Sequence, residues 1–170
     1  MNEDFLWWVM PGVLAGMPMP FLHPERRMNL GGPLAAYDDE LPALHSAGIR
    51  AIVSLLNIPS DDAVYESAGF AFLCLPLADG GAPTMDQASA FVRFVGQQRA
   101  LQNPVAVHCE AGLGRTGTMV AVYLISEGRS AADAIRAVRN VESQAIETIP
   151  QIQFLEQYAR QFKIGEQSQP

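Results

Sequence analysis

Apolar runs and amphipathic stretches alternate along this chain, and their order predicts alternating helices and strands. Two stretches share one pattern, Ser-Ala-Gly at residues 46–48 and again at 67–69, each leading into a continuous apolar run of strand length. Glycine directly after the last helical residue is typical of a helix end, and an unbroken apolar run is typical of a strand buried on both faces. The pattern therefore predicts an α/β fold with helices on both faces of a central, mostly parallel sheet.

Further apolar runs bring the predicted sheet to about five strands. Residues 5–9 and 13–15 flank Met10-Pro11-Gly12, a combination that favours a turn, so they predict a hairpin at one edge of the sheet. The last strand is the apolar run at 104–107. Cys74 lies within one of the predicted strands, and we expect it to be buried there.

Capping residues mark the predicted helix starts, since a Ser or Thr hydroxyl can accept a hydrogen bond from the backbone amide three positions later. The apolar stretch at 118–125 predicts a buried central helix. The three capping pairs are Thr84 with Gln87, Ser130 with Asp133, and Thr148 with Gln151.

A chain of 170 residues with 49% hydrophobic composition is long enough for one well-buried domain and short for two. We predict a single domain over residues 1–164, followed by a mobile tail at 165–170. Prolines and glycines concentrated at 17–37 predict a long loop inside that domain.

Charge and cysteine content narrow the function classes. The net charge of −7, with basic residues mostly scattered singly, argues against binding to nucleic acid or to an anionic membrane. The apolar segment near the start contains three prolines and two glycines, so it predicts neither a membrane span nor a signal peptide. Two cysteines indicate a reducing compartment, which makes the cytoplasm the expected location, and we expect a monomer.

Residues 108–116, His-Cys-Glu-Ala-Gly-Leu-Gly-Arg-Thr, form the stretch with the clearest chemistry. They join the strand at 104–107 to the central helix, and their glycines let backbone amides converge on one point in front of the helix N-terminus. A thiol in such a place ionises more readily, so Cys109 is a candidate nucleophile. Arg115 can bind two oxygens of a tetrahedral anion, and the Thr116 hydroxyl can donate to the sulfur.

Two other interpretations of this stretch are weaker. A buried structural cysteine would need neither the glycines nor Arg115 beside it. Gly112-x-Gly114-x-x-Gly117 also fits a dinucleotide-binding fingerprint, which requires an acidic residue at the end of a second strand. Asp133 has the required separation but lies in a stretch with helical spacing, and the fingerprint explains neither Cys109 nor Arg115.

The Cys-x5-Arg arrangement resembles the loop of the protein tyrosine phosphatase superfamily. The runs WWVMPGVLAG and GRTGT, and Ile146-Glu147-Thr148 with Gln151, are similar to the atypical dual-specificity phosphatases of the VH1-like member Z type. The resemblance implies phosphate-monoester hydrolysis through a phosphocysteine, without metal or cofactor. It assigns Cys109 as nucleophile, His108 as its support, and as phosphate-holding residues Glu110, Ala111, Gly112, Leu113, Gly114 and Arg115.

Asp79 is the candidate general acid, because a departing alkoxide or phenolate needs a proton. It follows a predicted strand, and ligands of α/β sheets bind beyond the carboxyl ends of strands, where Cys109 also lies. In the similar proteins the acid precedes the cysteine by some 30 residues, as Asp79 precedes Cys109. Here Ala78 and Gly80 stand where that group has a proline before the acid and a bulky residue after it. The resemblance also implies that Gln151 lies near the pocket and helps to position water.

The leading interpretation is a metal-independent phosphatase of phosphotyrosine, and of phosphoserine or phosphothreonine, in protein substrates. A phosphatase of an inositol lipid or RNA end is second, and a catalytically silent phosphate-binding module is third. Glu110 in the loop should oppose substrates that carry several phosphates. A redox partnership of Cys74 with Cys109 is left open.

Overall fold

The computed structural model describes residues 5–20, 40–58 and 61–167. Within these residues one sheet has the strand order β1-β2-β5-β3-β4. Only the β1–β2 pair is antiparallel, and every other neighbouring pair is parallel. The strands are β1 (Trp7–Met10), β2 (Leu14–Met17), β3 (Ala51–Ser54), β4 (Ala71–Cys74) and β5 (Val105–His108). The helices are α1 (Glu40–Ser46), α2 (Asp61–Ser67), α3 (Met85–Ala100), α4 (Gly114–Ser126), α5 (Ala131–Val141) and α6 (Ile149–Gln167).

The predicted hairpin is confirmed at the β1 edge of the sheet. The Val13 amide donates to the Met10 carbonyl at 2.9 Å, and Gly12 has a φ of 72°, a conformation that glycine adopts without strain. The other strand of the hairpin, β2, lies beside β5, so the start of the described chain packs against the strand that leads to Cys109.

The repeated helix–strand unit is confirmed as well. Gly48 and Gly69 end α1 and α2 with φ angles of 90° and 86°. β3 is buried along its whole length, but β4 is an outer strand and Cys74 is exposed, so the predictions that both strands and Cys74 are buried were wrong for β4. An apolar run does not distinguish an inner strand from a partly covered outer one.

Two apolar layers cover the two faces of the sheet, because successive strand side chains point to opposite sides. Ile52 and Ala106 pack in one layer with Leu44 of α1 and Tyr65 of α2. The alternate strand positions pack in the other layer, against α3 to α6. The α/β prediction with helices on both faces is therefore confirmed, and α4 is buried from Gly114 to Ile125 as expected for a central helix.

The three predicted capping pairs are confirmed, and a second, reciprocal hydrogen bond makes the first and third pairs complete capping boxes. Helix α6 continues to Gln167, past the predicted start of the tail at residue 165. One glycine in a helix costs only about 1 kcal/mol, so Gly165 alone does not end it. Residues 168–170, and residues 21–37 of the predicted loop, lie outside the described residues. Among the described helices, none combines the length and the apolar character needed to cross a membrane.

Candidate active site

The phosphate loop, residues 108–116, begins at the carboxyl end of β5 and runs into α4. The neighbouring strands hold it from both sides. The Leu55 amide, just after β3, donates to the His108 carbonyl at 2.9 Å, and the Met19 amide, just after β2, donates to the Glu110 carbonyl at 3.0 Å. Cys109 is only 2% exposed. The nucleophile candidate therefore sits at the bottom of a rigid loop in the middle of the sheet edge.

Close packing explains the glycines of this loop. Gly112 has a φ of 76°, and a Cβ atom there would overlap the carbonyl group of Met17 and the nitrogen of Pro18. A Cβ at Gly114 would overlap the Glu147 carboxylate, and one at Gly117 would lie 2.7 Å from the Cβ of Ala145. The loop and the start of α4 thus fit tightly between β2 and the turn before α6.

The N-terminus of α4 is available to an anion. No side chain caps the helix at Leu113 in the described part of the chain. The first amides of a helix lack partners within the helix, and they attract negative charge together with the helix dipole. A helix end that attracts negative charge therefore begins five residues after Cys109.

Arg115 connects the phosphate loop to the acid loop, which we define as residues 77–83 between β4 and α3. Its side chain is 7% exposed, and its Nη2 lies 3.1 Å from Oδ1 of Asp79. Its Nη1 donates to the carbonyl oxygen of Leu77 at 3.2 Å. The structure thus brings together Cys109, Arg115 and Asp79, although the Asp79 side chain itself is 91% exposed. Their catalytic roles stay predictions.

Residues at the start of α6 hold the other side of the acid loop. The Thr148 hydroxyl donates to the carbonyl oxygen of Gly80 at 2.8 Å, and Nε2 of Gln151 donates to that of Gly81 at 3.2 Å. Gln151 is fully buried, and its Oε1 accepts from the amides of Glu147 and Thr148. Gln151 lies beside Gly114, near the pocket as predicted, but it engages the acid loop in a way that the sequence did not indicate.

His108 lies beneath the loop in a buried pair with Tyr65. The Tyr65 hydroxyl and Nε2 of His108 are 3.1 Å apart, and Nδ1 of His108 is 3.3 Å from the carbonyl oxygen of Cys109. The supporting position predicted for His108 agrees with this geometry. Tyr65 was missed, because it lies 43 positions away in α2 and looks like any apolar helix residue.

Thr116 differs from its prediction. Its hydroxyl oxygen is buried and has no hydrogen-bond partner among the described residues, so the expected donation to the Cys109 sulfur is not formed. The hydroxyl of Thr118, two residues later, donates to the Gly114 carbonyl at 2.7 Å within the first turn of α4.

The rim of the phosphate loop is open. Glu110 and Ala111 are exposed, and Leu113 is half-buried. Ala111 and Leu113 also line a cleft of about 600 Å³, together with Trp7 and Trp8. In the described ranges, no group of three or more His, Cys, Asp or Glu side chains is arranged to hold a metal ion. That catalysis needs no metal stays a prediction.

Comparisons with known proteins agree with the motif. The family model described as "Tc-R-P: Polymorphic toxin system, DSP-PTPase phosphatase" matches residues 27–129. The chain is 34% identical to the dual specificity protein phosphatase CDC14AB of Danio rerio over 139 residues, which are 81% of this chain and 22% of that protein. It is 33% identical to the "Probable protein tyrosine phosphatase type IVA B" of Dictyostelium discoideum over 119 residues, covering 67% of this chain and 71% of that protein.

A solved structure shows the same fold. The crystal structure of Tk-PTP in its active form superposes with a TM-score of 0.77 at 26% identity, covering 94% of this chain and 99% of that one. The chain spans about a sixth to a third of the length of the CDC14 relatives that it matches.

Proposed function

Because this chain belongs to the dual-specificity family of cysteine-based protein phosphatases, we propose that it hydrolyses phosphotyrosine, and phosphoserine or phosphothreonine, in protein substrates. The family prediction made from the motif is confirmed. One observation supports the activity most strongly: the buried Cys109, the buried Arg115 fork and Asp79 lie at one edge of the sheet around an uncapped helix N-terminus. A module that only binds phosphate needs neither a nucleophile nor an acid.

The first chemical step forms a phosphocysteine. The Cys109 thiolate attacks phosphorus while the bond to the substrate oxygen breaks, and the Asp79 carboxyl gives its proton to that oxygen. Arg115 and the amides of residues 110–115 hold the three remaining oxygens, whose charge is spread in the transition state. The products are the dephosphorylated residue and the cysteinyl phosphate.

The second step releases inorganic phosphate. Water attacks the phosphorus of the phosphocysteine, its proton passes to the Asp79 carboxylate, and the bond to sulfur breaks to restore the Cys109 thiolate. Gln151 is the candidate for positioning this water by family resemblance, and its burial next to Gly114 agrees with that position.

The substrate class follows from charge at the rim. Glu110 is exposed immediately after the nucleophile, and a carboxylate about 6 Å from a second phosphate would oppose binding by roughly 2–3 kcal/mol at an effective dielectric near 20. This repulsion favours singly phosphorylated protein residues over polyphosphoinositides. Comparing kcat/KM for a phosphotyrosine peptide, a trisphosphorylated inositol lipid and a phosphorylated RNA end tests it, and a higher value for either of the latter two contradicts it.

The activity is tested with p-nitrophenyl phosphate in the presence of EDTA. We expect the wild-type chain to turn over and Cys109→Ser to be inactive while it still folds, since a serine hydroxyl stays protonated at this site. Cys74→Ser is the matched control, because it removes the exposed thiol and should keep full activity. Substantial turnover by Cys109→Ser would contradict the assignment of Cys109 as the nucleophile.

We further propose that the chain works in the cytoplasm. A thiolate nucleophile is kept reduced most readily in a reducing compartment, and a chain with two cysteines has no disulfide framework that would need an oxidising one. Fractionation of the cells that produce it tests this, and recovery in an oxidising compartment would contradict it.

A further inference from the structure

The acid loop contains little that would hold Asp79 in place by itself. Asp79 is flanked by Ala78 and Gly80, and Gly80 has a φ of 68°. Inside the loop, the amide of Gly81 donates to the carbonyl of Ala78 at 2.9 Å, which closes a turn but does not attach it to the rest of the domain. Beyond Leu77, the polar contacts that attach the loop to the rest of the domain come from Arg115 on one side and from Thr148 and Gln151 on the other.

The attachment through Arg115 conflicts with substrate binding. The guanidinium holds the Asp79 carboxylate at 3.1 Å, and the same N–H groups are needed by the phosphoryl oxygens of a substrate. A phosphate in the loop therefore competes with Asp79 for Arg115. The loop must keep its place by other contacts just when the proton is transferred.

The contact with Thr148 does not involve the phosphate. Its hydroxyl donates at 2.8 Å to the carbonyl of Gly80, the residue next to Asp79, and it reaches the acid loop across 68 positions of sequence. Thr148 is itself fixed, because its amide donates to the buried Oε1 of Gln151 at 3.2 Å. This bond remains available when Arg115 turns to a substrate.

We propose that Thr148 is a positioning residue for Asp79: its hydroxyl keeps the acid loop over the phosphate loop while Arg115 binds the substrate. The proposal rests on the phosphatase function proposed above. It assigns to a helix-capping hydroxyl a second role that the capping pattern alone does not require.

The first test compares leaving groups in Thr148→Val, which removes the hydroxyl and keeps the branched shape. A displacement of about 1 Å can lower a rate about 10²-fold, so we expect kcat for phenyl phosphate to fall by about 10-fold to 10²-fold. For p-nitrophenyl phosphate, whose leaving group hardly needs a proton, the change should stay within about twofold. Thr148→Ser restores the hydroxyl and should restore the rate.

A matched control separates positioning from loss of a helix cap. Ser130 caps α5 through the Asp133 amide, as Thr148 caps α6 through the Gln151 amide. Ser130→Ala should lower the melting temperature and leave both kcat values unchanged. The proposal is overturned if Thr148→Val lowers kcat equally for both phosphate esters. It is also overturned if Ser130→Ala lowers kcat for phenyl phosphate as much as Thr148→Val does.

A double-mutant cycle with Asp79→Asn tests the link between the two residues. If Thr148 acts through Asp79, adding Thr148→Val to Asp79→Asn should lower kcat for phenyl phosphate by less than about twofold. Full additivity of the two changes contradicts the proposal.

Hydrogen exchange tests the contact without relying on activity. Thr148→Val should speed amide exchange in the acid loop measured with bound inorganic phosphate, whereas Ser130→Ala should not. Unchanged exchange overturns the proposal even if the enzyme is active. If Thr148→Val speeds exchange in the acid loop but the wild-type chain hydrolyses no phosphate ester, the proposed function is contradicted and the anchoring by Thr148 still holds.

Discussion

The phosphate loop and the acid loop face each other but are built differently. The phosphate loop is nearly continuous in sequence with a central strand and a buried helix, and backbone hydrogen bonds from the segments after β2 and β3 hold it. The acid loop follows an edge strand and exposes Asp79. A backbone hydrogen bond from Leu77 to Leu55 holds its first residue, but beyond Leu77 its polar contacts with the rest of the domain come from side chains of residues 115, 148 and 151. Rigid backbone thus holds the nucleophile, whereas exchangeable side-chain contacts hold the acid.

This difference suits the two tasks. The phosphate loop must present the same amides to substrate, intermediate and product, and preorganised donors act without reorganisation. Asp79 must release Arg115 when a phosphate binds. Because the acid loop is held by several independent contacts, it can lose the ion pair with Arg115 and keep the bonds from Thr148 and Gln151. Three experiments test this contrast, in order of decreasing effect on activity.

Asp79→Asn has the largest expected effect. It keeps the size and polarity of the side chain but has no carboxyl proton to donate. We expect kcat for phenyl phosphate to fall by about 10²–10⁴-fold, the usual contribution of a positioned acid, and kcat for p-nitrophenyl phosphate to fall much less. Equal slowing of both esters would direct the search to Asp86, which is exposed at the start of α3.

Gly112→Ala and Gly80→Ala compare the two loops at glycines of similar backbone angle. Their φ values are 76° and 68°, so Ala costs about 1–2 kcal/mol at either site from conformation alone. At Gly112 the new Cβ also overlaps backbone atoms of Met17 and Pro18, which adds about 1–3 kcal/mol, whereas at Gly80 it only touches the Thr148 methyl at 3.6 Å.

Thermal unfolding and turnover of p-nitrophenyl phosphate measure the outcome. Gly112→Ala should lower the free energy of unfolding more than Gly80→Ala does. It should also reduce kcat by about 10-fold to 10²-fold, because the phosphate loop itself shifts. Gly80→Ala should keep most activity on this ester. Equal losses at the two glycines would show that the phosphate loop is no more tightly packed than the acid loop.

Tyr65→Phe has the smallest expected effect. It removes the hydroxyl 3.1 Å from His108, and one hydrogen bond contributes about 0.5–1.5 kcal/mol to stability. We expect a comparable loss in the free energy of unfolding and a few-fold lower kcat. Tyr123→Phe is the control, since it removes a hydroxyl that accepts from Arg99 near the far end of α4 and should affect stability only. An unchanged kcat in Tyr65→Phe would limit the Tyr65 hydroxyl to a role in stability.

Local features of this site could be predicted from the sequence, and contacts between distant segments could not. The strand, glycine loop, Cys109, Arg115 and helix are adjacent, so spacing alone indicates their geometry. The capping residues also act within one turn. In contrast, the bond from Thr148 to Gly80 and the pair of Tyr65 with His108 depend on how helices pack on the sheet. The exposure of Cys74 depends on strand order, which an apolar run does not encode.

The register of β2 has a consequence for how the domain forms during synthesis. Leu14 pairs with Val105, about ninety positions later, and β5 lies between β2 and β3. The hairpin leaves the ribosome about ninety positions before β5, so its parallel partner is not yet available when it forms. Pairings between such distant segments form slowly. Cys109 and the phosphate loop therefore reach their final arrangement late. A chain whose synthesis is not finished does not yet contain the complete site.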